Sequence, residues 1–547
     1  MSQWSMVLVM VCVAVLSPAL LHAQPLPPTP GGVEDSLRPR TLPPVETSPA
    51  VEAHPPPRRE AVSPGGPRIP VRHFVFEGNT VYSDDELRAV VAELEGQALT
   101  LEEVYAAADV LTDFYLKNGY SVALVTVPAQ QVADGTVRFE AIEGRISQLH
   151  LEGNARYRPA VLHSHLARVE RGEILRFDHL ERGVLLLNDL PGLLARSVIV
   201  PGEEYGTSTI RLNVEESPWD ARLALDNHGP ESVGEWRTNA DININSLAGI
   251  GDRLDLGVTL SENNLLRQGR IAWSRPIGSD GGRLGLSYSR AEYDVGGDFV
   301  ILGISGRSEN ARIQYSHPHL RSRRKNLYWN LAASHSRGRS VMDGVADLLT
   351  DSTVNLLEVG LNHDVRLEHG TRNASLRLAT NLRRNGTEND GTTRDGGVPL
   401  RLNLSGGGEH FFDGGWSLAG RGELQLSADS LPDTAQIGIG GPHSVRGFIA
   451  SRHRGDQGLL ATAEVRRYRN RDDFMLVLRG FVDAGVIKRK RPLAGQRRSD
   501  ELASLGLGVS AVFNENINLD LSWAMPVVGR EHGDERNRVW AILGMTF

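Results

Sequence analysis

Hydrophobic and polar residues alternate one by one along the second half of the chain, from Pro218 to the C-terminus. Near the end, apolar residues stand at every second position: Val539, Ala541, Leu543, Met545 and Phe547. Because successive side chains of a strand point to opposite faces, this alternation predicts strands with one apolar and one polar face. Helical periodicity is absent from this half. The pattern therefore predicts a continuous run of strands over residues 218–547.

Sixteen segments of this half read as strands. They begin near Ala221, Glu235, Arg253, Leu266, Arg283, Ser308, Asn326, Val354, Thr371, Pro399, Trp416, Leu459, Phe474, Leu502, Asn518 and Arg538. An even number lets an antiparallel barrel close with both chain ends on one side. A soluble sandwich would pack its apolar faces together, whereas a barrel in lipid turns them outward around a hydrated lumen. We therefore expect a mainly β protein with a 16-stranded antiparallel transmembrane β-barrel.

Before the barrel, the pattern changes to compact α+β units with the order strand, helix, helix, strand, strand. Capping boxes at Ser83–Glu86 and Thr100–Glu103 predict two helix starts. The second helix is predicted to bury one apolar face, formed by Leu101, Val104, Ala108, Leu111 and Tyr115.

The unit then occurs a second time. Residues 76–82 (FEGNTVY) are echoed by residues 151–157 (LEGNARY), and 125–128 (VTVP) by 198–201 (VIVP). Two tandem copies of one small α+β domain are expected, at 71–145 and 146–217. Glu215 and Glu216, at the junction with the barrel, are interpreted as solvated rather than as an acid/base pair.

The N-terminal segment 1–23 is predicted to be a secretory signal peptide, with an apolar core over 6–21 and small Ala23 before the cleavage point. The one cysteine, Cys12, lies inside it. Residues 24–70 hold about half of the 28 prolines and are expected to be an extended linker.

Bulk properties exclude two classes of protein. The net charge of -8 and the absence of a clustered basic face exclude nucleic acid as a partner. After the signal segment no run of about 18 apolar residues occurs, so the chain is not a helical membrane protein.

The candidate chemistry lies in a long connection between the eleventh and twelfth strands, roughly 429–458. It contains Val445, Arg446, Gly447 and Phe448, preceded by Gly440-Gly441-Pro442-His443-Ser444. The glycine spacing is not that of a phosphate loop, and Ser444 lacks the flanking glycines of a nucleophile elbow. No nucleophile, base and orienting group occur together, so we expect no enzyme. His317-Pro318-His319 lacks a third metal ligand and is interpreted as a turn, and no metal or cofactor is expected.

A second motif, Phe481-Val482-Asp483-Ala484-Gly485, follows on the thirteenth strand. The two motifs match the Val-Arg-Gly-Phe/Tyr and Phe-x-Asp-x-Gly signatures of the outer-membrane superfamily that joins polypeptide-transport-associated (POTRA) domains to a barrel. With two POTRA-like units, a Pro-rich leader, sixteen strands and a terminal Phe547, the chain resembles a two-partner secretion transporter of the haemolysin secretion/activation type. The resemblance spans nearly the whole mature chain.

The resemblance implies a location and a function. The barrel would lie in the bacterial outer membrane, in contact with its lipid, with the POTRA domains in the periplasm. A monomer would recognise a secreted polypeptide client and translocate it to the surface or medium, with no small-molecule substrate. An outer-membrane protein assembly or insertion factor of the same superfamily is the alternative, although such factors normally carry more POTRA units.

The two motifs are expected to meet inside the barrel. Leu476, Leu478, Val482, Ala484 and Val486 form one apolar face of the thirteenth strand. Arg479, Phe481 and Asp483 therefore point into the lumen. We expect an Arg446–Asp483 pair that holds the loop inside the barrel, as in the family, with Glu464 of the twelfth strand as the other possible partner. A solvated, extracellular Arg446 is the alternative.

Two questions stay open at this point. In the family an N-terminal helix often plugs the pore, but the leader here offers only a short turn around 33–37. The small domains present sheet edges onto which a client could add a strand, or they are passive spacers. The identity of the client, and whether transport also activates it, are not written in the chain.

Overall fold

The computed structural model describes residues 29–37, 51–53, 66–132, 134–343, 350–387, 400–471, 474–492, 495–531 and 535–547. The signal peptide predicted for 1–23 lies outside these ranges, as does most of the linker. Within the described ranges, no helix combines the length and the apolar character needed to cross a membrane.

The leader contributes two short elements, helix α1 (Pro30–Ser36) and strand β1 (Val51–Ala53). The first front domain contains β2 (Ile69–Pro70), β3 (His73–Glu77), α2 (Asp84–Val90), β4 (Ala98–Leu99), α3 (Leu101–Lys117), β5 (Leu124–Thr126) and β6 (Thr136–Ile142). Its three-stranded sheet has the order β3-β6-β5. The predicted order of strand, helix, helix, strand, strand is confirmed.

Both predicted capping boxes are present in this domain. Ser83 and Thr100 each accept from the backbone N–H three residues on, and Glu86 and Glu103 accept from the cap residues in return. These hydrogen bonds from the backbone lower the pKa of both glutamates. Four of the five residues predicted for the buried face of α3 are buried, but Leu101 is 44% exposed. Leu101 is the first residue of α3, where the helix has not yet reached the sheet.

The second front domain contains β7 (Arg145–Glu152), α4 (Pro159–His165), α5 (Phe177–Asn188), β8 (Leu193–Pro201) and β9 (Thr207–Glu216). Its sheet has the order β1-β8-β9-β7, so the leader strand β1 lies on one edge and pairs in parallel with β8. The leader thus contributes a strand to a domain that follows it in the chain.

The two front domains share the same atomic contacts at equivalent turns. Gly78 and Gly153 both have positive φ, and a Cβ on either would lie 2.4 or 2.2 Å from a carbonyl oxygen of the closing strand. Glu143 accepts from the N–H groups of Thr80 and Val81, and Glu216 accepts from Ala155, Arg156 and Tyr157. Glu216 at the junction is therefore partly exposed, as expected, but its carboxylate also orders the turn after β7.

The second half of the chain forms a closed barrel of sixteen strands, and the predicted fold class is confirmed. The barrel strands are β10 (Trp219–Asp226), β11 (Arg237–Asn245), β12 (Arg253–Ser261), β13 (Leu266–Ile277), β14 (Gly282–Asp294), β15 (Ile304–Arg321), β16 (Lys325–Met342), β17 (Thr350–Leu367), β18 (Gly370–Thr387), β19 (Leu400–Phe412), β20 (Trp416–Ser427), β23 (Gln457–Arg471), β24 (Phe474–Lys488), β25 (Ser499–Phe513), β26 (Ile517–Val528) and β27 (Arg538–Thr546). Each predicted start lies within four residues of the observed one. Two further strands, β21 (Ile437–Ile439) and β22 (His453–Gly455), pair within the connection between β20 and β23.

Alternation places apolar side chains outside and polar ones inside. On β24, Val482 is 53% exposed while its neighbours Phe481 and Asp483 are 4% and 0% exposed. The start of β10, the end of β27 and the short connections lie at one end of the barrel, which we call the turn end. The long connections lie at the opposite end, which we call the loop end.

The second front domain packs against the turn end of the barrel. Arg321 of β15 forms a bidentate ion pair with Asp189, with N–O distances of 2.9 and 2.8 Å. Arg182 of α5 donates to the carbonyl of Pro318 at 3.3 Å. The turn predicted for His317-Pro318-His319 is wrong, because these residues continue β15, which absorbs the proline by a register shift between Pro318 and Leu320.

Candidate functional site

The connection 428–456 folds back into the barrel and packs on its inner wall. Ile437, Ile439, Val445 and Phe448 form one buried cluster with Ile487 and Leu502 of the wall. Val445 is fully buried and Phe448 is 3% exposed. We call the connection 428–456 the inner loop. Its buried apolar side chains provide the packing that keeps the loop in the lumen.

Glycines let the loop approach the wall closely. A Cβ on Gly447 would lie 2.8 Å from Cβ of Ser504 and 3.0 Å from the backbone N of Pro526. A Cβ on Gly485 would lie 2.9 to 3.1 Å from Leu460, Ile439 and Val445. Gly447 does not have positive φ, so close contact with β25 and β26, rather than a tight turn, is what requires a glycine there.

Arg446 forms the central contact between loop and wall. Its Nε and Nη2 donate to Oδ2 and Oδ1 of Asp483, both at 2.8 Å, and its backbone N–H donates to Oδ2 at 3.2 Å. The Arg446 side chain is 4% exposed and that of Asp483 is 0% exposed. Such a bidentate, charge-assisted pair fixes orientation as well as distance.

Glu464 is a second partner of the same guanidinium. Nη1 of Arg446 lies 2.9 Å from Oε1 of Glu464, and the guanidinium carbon lies 3.2 Å from the ring centroid of Phe481. Asp483 and Glu464 were alternatives from the sequence, and Arg446 binds both. Val445, Arg446, Gly447, Phe448, Phe481, Asp483 and Gly485 all lie in this one cluster.

The leader helix α1 also lies in the lumen, at the loop end. Val33 is fully buried among inward side chains of β13, β14 and β15. The N–H of Gly31 donates to Asp433 of the inner loop at 2.6 Å, and Arg454 donates to the Gly31 carbonyl at 3.0 Å. Arg237 of β11 donates to the Ser36 carbonyl at 2.7 Å. The sequence left open whether the proline-rich leader places a helix in the pore. The structure has helix α1 of the leader inside it.

Comparison with known families assigns this architecture. The model of the haemolysin secretion/activation protein ShlB/FhaC/HecB matches residues 206–511, and that of the ShlB-type POTRA domain matches residues 69–144. The chain belongs to the haemolysin secretion/activation family. Members are outer-membrane transporters, so the front domains are periplasmic, the turn end faces the periplasm and the loop end faces the cell surface.

Relatives of the family resemble the chain over most of its length. The heme/hemopexin transporter protein HuxB of Haemophilus influenzae strain 86-028NP is 25% identical over 482 residues, covering 85% of this chain and 84% of the relative. The hemolysin transporter protein HpmB of Proteus mirabilis is 24% identical and covers 81% and 79%. Among solved structures, CdiB from Escherichia coli matches with a TM-score of 0.73 at 21% identity, covering 90% of this chain and 93% of that one. The structural match supports the fold.

Sequence reasoning missed a chain of alternating charges that continues from Arg446 along the lumen of this family member. Glu464 also pairs with Arg466 at 2.6 Å, and Arg466 pairs with Glu409 at 2.7 Å. Tyr468 donates to Glu409 at 2.7 Å, near the periplasmic end of β23. Glu464, Arg466 and Tyr468 are alternate residues of one strand, so their shared inward face was the available signal.

A second buried pair lies beside the first. Arg479, predicted to point inward, donates to both oxygens of Asp520 at 2.8 and 2.6 Å and to the hydroxyls of Ser510 and Ser522. It joins β24, β25 and β26 on their inner face. The wall that receives the inner loop is therefore itself cross-linked by polar contacts.

Proposed function

We propose that this chain recognises one exported, unfolded polypeptide in the periplasm and passes it through its own barrel to the cell surface or medium. The observation that carries the proposal is the buried Arg446–Asp483–Glu464 cluster, which fixes a long surface loop inside the lumen. A loop held there by paired charges lines the route that a client would take. It can supply a fixed wall for that route without any chemical step.

The polar inner wall suits an unfolded client. Its paired arginines and carboxylates, such as Arg466 with Glu409 and Arg479 with Asp520, are polar groups that can form hydrogen bonds with a passing backbone. Helix α1 occupies the loop end of the same lumen, so it has to move before a client can pass. Its contacts include hydrogen bonds to the inner loop and the wall and the buried side chain of Val33, and these have to break in such a movement.

The periplasmic domains are proposed to hold the client by strand addition. The first sheet has β3 and β5 as its edge strands, and the second has β1 and β7. An extended client segment can add to such an edge through main-chain hydrogen bonds, with little demand on its sequence. Under this proposal the POTRA domains span 71–145 and 146–217 and the barrel spans 218–547. The chain works as a lipid-embedded monomer that needs neither cofactor nor metal and has no enzymatic activity.

The test is secretion of an exoprotein encoded beside this gene, co-expressed with wild type, Arg446→Ala or Arg270→Ala. Arg270 is the matched control, because it is an inward arginine paired with Asp241 on the other side of the lumen. We expect Arg446→Ala to abolish release of the client while the barrel stays folded in the outer membrane, and Arg270→Ala to secrete normally. Normal secretion by Arg446→Ala contradicts the proposal. Loss of unrelated outer-membrane proteins from the cells would instead favour the assembly factor.

A further inference from the structure

The outer wall of the barrel has a hollow between β11 and β14, with a volume of about 810 Å³. Strand register puts most of its lining side chains on one face, since Val258 is opposite Gly269 and Gly269 is opposite Arg290. That face is the lipid-facing one, because Val258 and Ile271 are 50% and 46% exposed. The hollow therefore opens into the membrane rather than into the lumen.

Small residues create the hollow. A Cβ on Gly269 would have no atom within 4 Å, so the space above this glycine is open. Ala240 is a second small residue of the outward lining, and Ile242, Leu256, Val258 and Ile271 surround the two. The volume lies within the range of about 300–1,000 Å³ typical of ligand sites. A concave apolar surface of this kind fits an acyl chain better than the flat wall beside it does.

Arginines close the hollow at its loop end. Arg290 is two residues beyond Tyr288 on β14, about 7 Å along a strand, and Arg267 lines the same rim. Tyr288 is an aromatic residue of the kind that marks the membrane interface. Arg290 pairs with Glu292, which it shares with Arg307, and with Glu309 at 3.6 Å, whereas within the described ranges Arg267 has no ion-pair partner. Guanidinium groups bind phosphate through paired N–H donors.

Among the described residues, the outward charges of the rim are densest on the side of the hollow. The outward faces of β15, β16 and β17 continue it with Arg307, Glu309, Arg337, Arg339 and Asp351. Together with Arg267, Arg290 and Glu292, the rim holds five arginines and three carboxylates. On the opposite wall, the outward residues near the loop end include Leu459, Val527 and Val539, each about half exposed, and the two charged residues Lys488 and Glu501. Among the described side chains, the outward arginines of the rim are therefore concentrated on the side of the hollow.

We propose that this hollow is a binding site for a phosphorylated glycolipid of the outer leaflet, of the lipid A type. An acyl chain lies over Gly269 between Val258 and Ile271, and a phosphate is held by Arg267 and Arg290. The bound lipid comes from the outer leaflet, because the arginines lie at the loop end, which faces the cell surface. The apolar hollow and the arginines are adjacent, as the two parts of such a lipid are.

The test is native mass spectrometry of the delipidated full-length protein in detergent with bis-phosphorylated lipid A. Dephosphorylated lipid A and phosphatidylglycerol are the comparison lipids. We expect Arg267→Gln with Arg290→Gln to weaken binding of lipid A about tenfold or more, the size of one lost charge-assisted hydrogen bond. Gly269→Leu should weaken it as well, by filling the hollow.

The controls make the same two kinds of substitution at other outward positions of the barrel. Arg275→Gln removes an outward arginine at the periplasmic end of β13, and Gly420→Leu fills an outward position of β20 whose added Cβ meets no atom closer than 3.8 Å. Both should bind like wild type, and heat-modifiable migration shows that each variant barrel is folded. Equal binding by the arginine or Gly269 variants and wild type overturns the proposal. So does equal binding of phosphatidylglycerol or of dephosphorylated lipid A.

Discussion

The indole N–H of Trp540 donates to the main-chain carbonyl of Arg446 at 2.7 Å. Trp540 lies on β27, the last strand, whereas the guanidinium of Arg446 binds carboxylates of β23 and β24. One residue of the inner loop thus connects two separate parts of the barrel wall. The loop tip is therefore held by contacts with three strands, β23, β24 and β27.

Replacing Trp540 by Phe should keep the ring and remove the donor. Because a hydrogen bond of this kind contributes about 1 kcal/mol, we expect partial loss of client secretion, smaller than that of Arg446→Ala. The inner loop should also be cut faster by an external protease on intact cells. Trp273→Phe, on the lipid-facing side of β13, is the control and should match wild type. Unchanged protease resistance in Trp540→Phe would mean that this contact does not hold the loop.

The two carboxylates that bind Arg446 should differ in how much they contribute to client secretion. Asp483→Asn removes the charge from a bidentate contact that also accepts the Arg446 N–H, whereas Glu464→Gln weakens one contact to Arg446 and the pair with Arg466. Removing one partner of a buried pair costs about 3–5 kcal/mol. We expect Asp483→Asn to abolish secretion and Glu464→Gln to reduce it, as measured by client in the medium against barrel in the membrane. The reverse order would show that Glu464 is the main partner.

Glu143 should stabilise the first POTRA domain. It is 5% exposed and accepts from Thr80, Val81 and Tyr115. Burial raises the pKa of the Tyr115 phenol, and Glu143 raises it further. Glu143→Ala leaves these donors unsatisfied, so we expect a loss of about 2 kcal/mol and faster proteolysis of this domain. Tyr115→Phe should cost about 1 kcal/mol, and barrel heat-modifiability should stay unchanged in both variants.

Acid should weaken the same domain through its capping boxes. The folded-state pKa of Glu86 and of Glu103 is lowered, chiefly by hydrogen bonds from the backbone of Ser83 and Thr100. Their stabilising effect is therefore present above the unfolded pKa of about 4.3 and is lost as pH falls through the folded values. We expect the protease resistance of wild type to fall over this window. A Glu86→Gln, Glu103→Gln variant should show a smaller fall, and an equal fall in both proteins would contradict the prediction.

The contacts of α1 should limit ion flow through the pore. Arg237→Ala and Arg454→Ala remove the donors to the Ser36 and Gly31 carbonyls. We expect more frequent and longer openings in planar bilayers, because the helix then leaves the lumen more often. Arg270→Ala, which does not touch α1, should conduct like wild type. Equal conductance in all proteins would show that these arginines do not retain the helix.

Alternation alone made much of the barrel predictable. It located all sixteen strand starts and placed Phe481 and Asp483 inward, because a period of two leaves one choice of face once the apolar side is known. It could not decide between Asp483 and Glu464, since both point inward on neighbouring strands and the depth of the inner loop is not a local property.

Helix α1 could not be predicted from its own residues. It has seven residues in a proline- and glycine-rich stretch, too few for a stable helix in water. Its order comes from the lumen, where Val33 is buried by residues more than 190 positions away in the chain. The register shift at Pro318 was missed for a similar reason, because an edge-free barrel strand accommodates proline only through its neighbours.

The leader is attached at two places, with α1 in the lumen and β1 on the sheet of the second POTRA domain. Fourteen residues separate Ser36 from Val51, so fully extended chain between them spans at most about 50 Å. The leader is therefore a tether of fixed maximum length between the barrel lumen and the second POTRA domain. Displacement of β1 from β8 would lengthen the free segment that follows α1, so this leader is a covalent connection between the periplasmic domain and the pore that is separate from the barrel wall.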